Sequence, residues 1–377
     1  MGEDVIHDFL KCSMIVRYGN GKSPLVKKFQ ILPVVRLQML LYLDADLDYI
    51  RPHRLQLDRK KVTVGGVDTK NVILRSVLNI GASYLNFRPQ WVTELRNLEV
   101  LQLGRWQDSA LHHIEVGSEE FLKDLRTLKQ LKYVSLRGIS RILELPSSIA
   151  ELESLLILDL KACHNLERLP HDISSMRSLT HLIMSDCCLL EGMPKGIEKL
   201  SNLEVLKGFL ISTYEKTPCR ISDLVNLRKL RRLSIHIGSE AEIRDEEFEG
   251  LEDFSALKHL KISWSVSDRK YAKINFVLPP SLRKLHLECF PGKSLEECFM
   301  PSVHGRFRFI LTELNITGGK LEHIVDFKWW RVEILRLKYL KQLNVDIYDL
   351  KALFPELKYV KVKQVSNISY LQHEWAD

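Results

Sequence analysis

Gly21-Lys22-Ser23 has the residue types of a phosphate cradle: a glycine for close approach, a lysine for charge and a hydroxyl for magnesium. The spacing does not follow. A phosphate-binding loop needs GxxxxGK followed by Ser or Thr, and the position of its first glycine is held by Val16. Pro24 comes next, where a helix should open. Gly19-Asn-Gly21 reads instead as the turn of a hairpin, with strands at Ser13 to Tyr18 and Val26 to Ile31. His112 and His113 are adjacent, whereas zinc-binding histidines on one helix face stand about four residues apart. Cys187 and Cys188 are adjacent too. No HExxH, GxSxG or GxGxxG occurs, and no nucleophile–base or carboxylate pair stands out. The reading is a chain that is not an enzyme and needs no metal or cofactor.

Charge is the chemistry that remains, and its placement depends on the framework. Leu145 to Leu206 matches itself at a shift of 24: Leu145, Leu169 and Met193 align, as do Pro146, Pro170 and Pro194, and Leu158, Leu182 and Leu206. Ile149, Ile173 and Ile197 align as well, and Cys163 and Cys187 fall where an LxxLxLxx template asks for Asn or Cys. This is the leucine-rich repeat. The expected fold is an α/β solenoid: a curved horseshoe with a parallel β-sheet on its concave face. In LxxLxLxx the second and third leucines lie two apart on one strand face, so Leu158 and Leu160 point inward while Asp159 and Lys161 point out. Ile173, Met176 and Leu179 are three apart, which suits a 3₁₀ turn on the convex side, with Pro170 fixing the reversal.

Units open at Leu131, Leu155, Leu179 and Leu203, then more loosely near Leu230, Leu257, Leu282, Leu311, Val332 and Leu357. VEILRLKYLKQLNV permits starts at Val332 or Leu340. Earlier strands are expected at Leu55 and Leu57, at Leu78 and Ile80, and at Leu98, Leu101 and Leu103. Gly104 to Asp124 reads as an irregular insertion, functional or decorative. The domains are therefore 51–377, roughly a dozen repeats of about 20–29 residues, and 1–50, a helix–hairpin–helix piece too small to stand alone.

The template then places charge on the outer face of the later strands. Arg231, Arg232, Ser234 and His236 face out, followed by Lys258, His259, Lys261 and Ser263, with Trp264 just beyond. Arg283, Lys284, His286 and Glu288 come next, then Arg336 and Lys338, then Lys358, Tyr359, Lys361 and Lys363. Earlier strands show a mixed set: Glu99, Val100, Asp159, Thr180 and Ile183. A solvated polar face is the plain reading. The sharper one is a basic ladder that attracts a protein with an acidic surface. RNA ranks below protein, because the ladder has little aromatic interleaving.

Two stretches resemble plant intracellular nucleotide-binding leucine-rich-repeat immune receptors, the disease resistance proteins. One is the LPxxIxxLxxLxxLxLxxC unit of 145–187; the other is LPPSLRKLHLECFP, Leu278 to Pro291, similar to a motif of a coiled-coil-type subgroup. Residues 1–45 resemble the end of the winged-helix part of the nucleotide-binding module. The resemblance implies defence: repeats that recognise a pathogen effector or guarded host protein, or restrain a nucleotide-binding module. The chain departs from that pattern in lacking a P-loop, and Ile31-Leu32-Pro33 stands where the family carries a Met-His-Asp motif on ADP. Nucleotide switching by this chain alone is not expected; it reads as a truncated receptor, a partial product or a stand-alone repeat protein. The alternative is an intracellular repeat scaffold for a signalling complex with a small GTPase or phosphatase.

Composition agrees with a soluble interaction protein. The balance of 55 basic and 48 acidic residues gives +7, mildly basic and not diagnostic of nucleic acid. Seven cysteines without a CxxC suit reduced thiols in the cytoplasm. The N-terminus MGEDVIHDFLKC is not a secretory signal, and Ile31 to Leu43 is too short and carries Arg36 and Gln38, so no membrane span is expected.

Overall fold

The computed structural model describes residues 15–17, 29–31, 54–57, 61–64 and most of 75–375, apart chiefly from 106–112, 300–310 and 325–330. The chain divides into two compact units, Met1–Arg54 and Leu55–Asp377. In the first, β1 (Ile15–Arg17) pairs antiparallel with β2 (Phe29–Ile31), Ile15 opposite Ile31. The helices expected around Ile6 to Leu10 and over Val34 to Leu43 lie outside the described residues.

The repeats put one strand per coil into a common sheet. In chain order the strands are β3 (Arg54–Leu57), β4 (Lys61–Val64), β5 (Ser76–Asn79), β6 (Tyr84–Phe87), β7 (Val100–Gln102) and β8 (Glu115–Val116). Then come β9 (Tyr133–Ser135), β10 (Ile157–Asp159), β11 (His181–Ile183), β12 (Val205–Ile211), β13 (Arg232–Ile237) and β14 (His259–Trp264). The last are β15 (Lys284–Phe290), β16 (Glu313–Gly319), β17 (Ile334–Lys338), β18 (Tyr359–Val365) and β19 (Ile368–Glu374). Among the described residues the main sheet runs β3-β5-β7-β9 and then consecutively to β19. Its neighbours pair in parallel from β5 to β18, and β19 returns antiparallel on β18.

The template explains this order. Leu158 stands beside Val134 on one side and Leu182 on the other, one 24-residue step apart, and all three are buried. The return side carries 3₁₀ turns at Ser147–Glu151, Ile173–Ser175 and Ile197–Lys199, whose Ile149, Ile173 and Ile197 are wholly buried. Each coil covers the apolar edge of the last. Leu158→Ala is expected to cost about 2–5 kcal/mol, read as a lower urea midpoint; an unchanged midpoint would contradict its place in the core.

The cysteines at the template position are structural. Cys163 Sγ donates to the Leu136 carbonyl at 3.1 Å and Cys187 Sγ to that of Leu160 at 3.2 Å, each tying a coil to the one before. Burial pushes the Cys163 thiol up to about 12.

Two expectations need correction and one open choice is settled. On β5, Val77 rather than Leu78 pairs with the inward Leu101, and Leu78 stands opposite the outward Gln102. A one-residue slip exchanges the faces, and Asn79 takes the third inward place, donating to the Leu103 carbonyl at 2.9 Å. Ile80 lies outside the described residues. Second, Gly104 to Asp124 is not a plain insertion loop. Its Glu115–Val116 joins a second parallel sheet, β4-β6-β8, and Phe121 stacks on Phe87 with centroids 4.2 Å apart. Third, the choice at 332–345 is resolved. Leu335 pairs with Leu314 and Leu337 with Ile316, so Val332 opens the unit.

After Leu203 the coils change. Strands β9–β11 are three residues long, whereas β12–β16 are six or seven. The longer coils enclose more space, which aromatic rings fill: Phe248, Phe276 and Phe290 are wholly buried, with Phe299 against them.

Candidate functional site

The register fixes which side chains share the open sheet face. Between the inward positions, one row runs Lys207, Ser234, Lys261, His286, Asn315, Arg336 and Lys361 across β12–β18. A second row holds Arg232, His259, Lys284, Glu313, Ile334 and Tyr359. A third holds His236, Ser263, Glu288, Thr317, Lys338 and Lys363. Arg231, Lys258, Arg283 and Lys358 stand one residue before the second row, the first three exposed. Neighbouring strands lie about 4.8 Å apart, so the residues of each row are lateral neighbours.

Trp264 does not belong to this face. The expectation stopped the strand at Ser263, but β14 continues, and alternation turns Trp264 inward after Leu260 and Ile262. It is 2% exposed and meets the Phe290 ring edge-on at 5.6 Å.

The face is also less purely basic than the cations alone suggest. Lys261 is in close contact with Glu288, and Arg336 with Glu313. Lys284 Nζ lies 2.9 Å from Glu313 Oε1, and Lys358 Nζ 3.9 Å from Glu333 Oε2. Burial pushes the Glu313 carboxyl up, but the Lys284 hydrogen bond and the Arg336 charge outweigh it and hold the group below its usual range. Glu313 and Glu333 escaped the sequence reading, although Glu313 holds the same template place as Arg232 and Lys284. At the far end, Lys363 lies 5.3 Å from the Tyr339 ring, Lys361 5.4 Å from Tyr370 and Arg336 5.6 Å from Tyr359. Aromatic and basic groups therefore do interleave there. Tyr370 reaches this face through β19, which has no repeat signature. Among the described residues no group of three or more His, Cys, Asp and Glu is placed to hold a metal ion.

A family model described as "Leucine-rich repeat region" matches residues 73–368. In Arabidopsis thaliana, Disease resistance RPP13-like protein 4 is 32% identical over 277 residues, covering 71% of this chain. The chain belongs to the leucine-rich-repeat proteins of the plant disease-resistance type. It spans 31% of that relative's length. Among solved structures, the leucine-rich repeat domain of APL1B is 14% identical, with 90% of this chain and 93% of that one covered, at a TM-score of 0.46. The plant peptide hormone receptor RGFR1 in complex with RGF2 is 17% identical, with 82% and 54% covered, at 0.44. No helix among the described residues is long and apolar enough to cross a membrane.

In this disease-resistance-type repeat protein His236, His259 and His286 on the face are all held below the ordinary imidazole range. His236 shares hydrogen bonds with the Ser263 and Ser265 hydroxyls, each at 2.9 Å. Burial, with Arg232 and Lys284 adding to it against Glu313, pushes His259 down to about 4. Burial and Lys261 push His286 down to about 4. Both values lie below that of an unfolded chain. Stability is therefore full above the ordinary value of 6.5, falls as pH drops through it, and stops falling below about 4. The double variant His259→Gln/His286→Gln should lose less melting temperature than wild type between about pH 7 and about pH 5. Equal slopes would contradict the neutral, half-buried imidazoles.

Proposed function

We propose that this chain is a non-catalytic recognition module of plant defence acting inside the cell. Its sheet face from β12 to β18 docks an acidic surface of a protein: a pathogen effector, a guarded host protein, or the nucleotide-binding module of a receptor. The observation that carries this reading is Arg231, Lys258 and Arg283, each exposed just before one of three successive strands, β13, β14 and β15, with no ion pair among the described residues. Like charges side by side on neighbouring strands repel. An acidic partner relieves that repulsion, and a basic face speeds its approach. The disease resistance named for the Arabidopsis relative supplies the biological setting.

The test is complementation. A host plant lacking the gene receives the wild-type sequence or R231E/K258E/R283E, each in its native locus, and pathogen growth is measured. The wild type should restore resistance, and the variant, accumulating equally, should not. Full restoration by the variant would remove the basic face from the function. Unchanged pathogen growth in the plant lacking the gene would remove defence.

A further inference from the structure

The cations of the open face are not equivalent, and the difference points upstream of the exposed ladder. Lys261, Lys284, Arg336 and Lys358 each already meet a carboxylate of this chain. An incoming acidic group there must displace an internal one. Around Lys207 the balance is reversed. Lys207 lies in register with Ile183 and, beyond it, Asp159 on one side, and with Ser234 on the other; Arg232 follows on β13. Arg137 and Lys161 approach from the coils of β9 and β10, both close enough to act on the Lys207 charge. Burial, then Arg232 and Lys161, push the Lys207 amine below its usual range, and burial with Arg137 does the same to Lys161. The acids in reach are Asp159, itself pushed up by burial, and Asp186, 3.7 Å from Lys161. Lys207 and Arg232 have no ion pair among the described residues.

Two further features meet at the same place. Register on β12 shifts between Lys207 and Phe209, and Gly208 has φ +83°, a bulge of the kind that re-aims a side chain. Apolar side chains stand nearby, interleaved with Asp159 and His181: Ile157, Ile183 and Leu210 are half-buried and Leu156 is 40% exposed. Tyr133 precedes Ile157 in the same row.

Resting on the docking function proposed above, we propose that Arg137, Lys161, Lys207 and Arg232 form its anchor. They take an Asp or Glu carboxylate of a partner segment whose adjacent aromatic or aliphatic residues pack on Leu156, Ile157 and Ile183. A carboxylate there gains charge-assisted hydrogen bonds from Lys207 and Arg232, which have no ion pair among the described residues, while Arg137 and Lys161 add positive field around it. The apolar side chains beside it exclude water and strengthen them.

The probe is a random copolymer of glutamate and tyrosine, titrated into the purified chain and compared with polyglutamate and with a DNA duplex. The copolymer should bind more tightly than either. K207E/R232E should weaken it on the order of tenfold or more, as should the milder K207Q/R232Q to a smaller degree, while R177E/K199E on the return side stays within about twofold. Thermal melting verifies that the variants fold. Loss with R231E/K258E/R283E but not with K207E/R232E would overturn the anchor and leave the docking face standing. No loss with either set would overturn both. Equal affinity for polyglutamate removes the apolar contacts, and equal affinity for DNA removes the peptide. A second readout is the dimethylated Lys207 resonance, which should titrate below a free lysine and move up when copolymer is added. An unmoved titration overturns the carboxylate at Lys207.

Discussion

Phe276→Ala should lower the unfolding free energy by about 3–5 kcal/mol. The ring is wholly buried, with Phe248 at 4.6 Å, Phe299 at 5.3 Å and Trp264 at 6.1 Å. Phe248 and Phe299 come from the coils before and after and Trp264 from the same coil, so removing the ring opens a cavity that spans adjacent coils. In a solenoid each coil packs only on its neighbours, and the defect cannot be shared along the chain. The loss should appear as a lower urea midpoint with faster amide exchange in β13–β15. Phe276→Leu, which keeps most of the volume, should recover a large part of it. An unchanged midpoint for Phe276→Ala would mean that the long coils are not held by their aromatic wall.

Gly208→Ala should be destabilising by at least about 2 kcal/mol. The residue sits at φ +83°, and an added Cβ would lie 2.6 Å from the Met184 carbonyl carbon and 2.7 Å from both its oxygen and the Ser185 nitrogen. All three are backbone atoms of the preceding coil, so no rotamer change relieves the clash. Either the bulge is lost or β12 moves away from β11. Both outcomes shift Lys207, so affinity for an acidic probe should fall along with melting temperature. A variant with wild-type melting would show that the bulge does not require glycine.

The regular part of the fold was legible because its code is local. From Leu131 to Leu206 the inward positions repeat at 24 residues, and their side chains are buried, Cys187 only partly. Legibility fades where the code no longer specifies length. Nothing in LxxLxLxx says that β14 extends to Trp264, and only the extension turns that side chain inward. Near Leu78 the run Val77-Leu78-Asn79-Ile80 offers an apolar residue to the core in either register, so a slip of one residue was open, and alternation made it costly. The strand β19 carries no template at all; its antiparallel pairing sets Tyr370 opposite Lys363. The template lines up the cations of the face but says nothing of how its carboxylates meet them. Glu313 occupies the same row as Lys284, and its influence emerges only when adjacent strands are placed side by side. The crowding around Lys207 is less legible still, because its members come from four coils and none is unusual alone.

The position of positive charge on the sheet face, and not its total, selects the partner. Affinity for a plant protein retained by the immobilised wild-type chain should be measured for R231E/K258E/R283E and for R177E/K199E/R228E. The two variants change net charge equally, but the second places its reversals on the exposed return-side turns. The face variant should bind on the order of tenfold more weakly and the return-side variant within about twofold of wild type. Equal weakening in both would show attraction by net charge alone and contradict the claim.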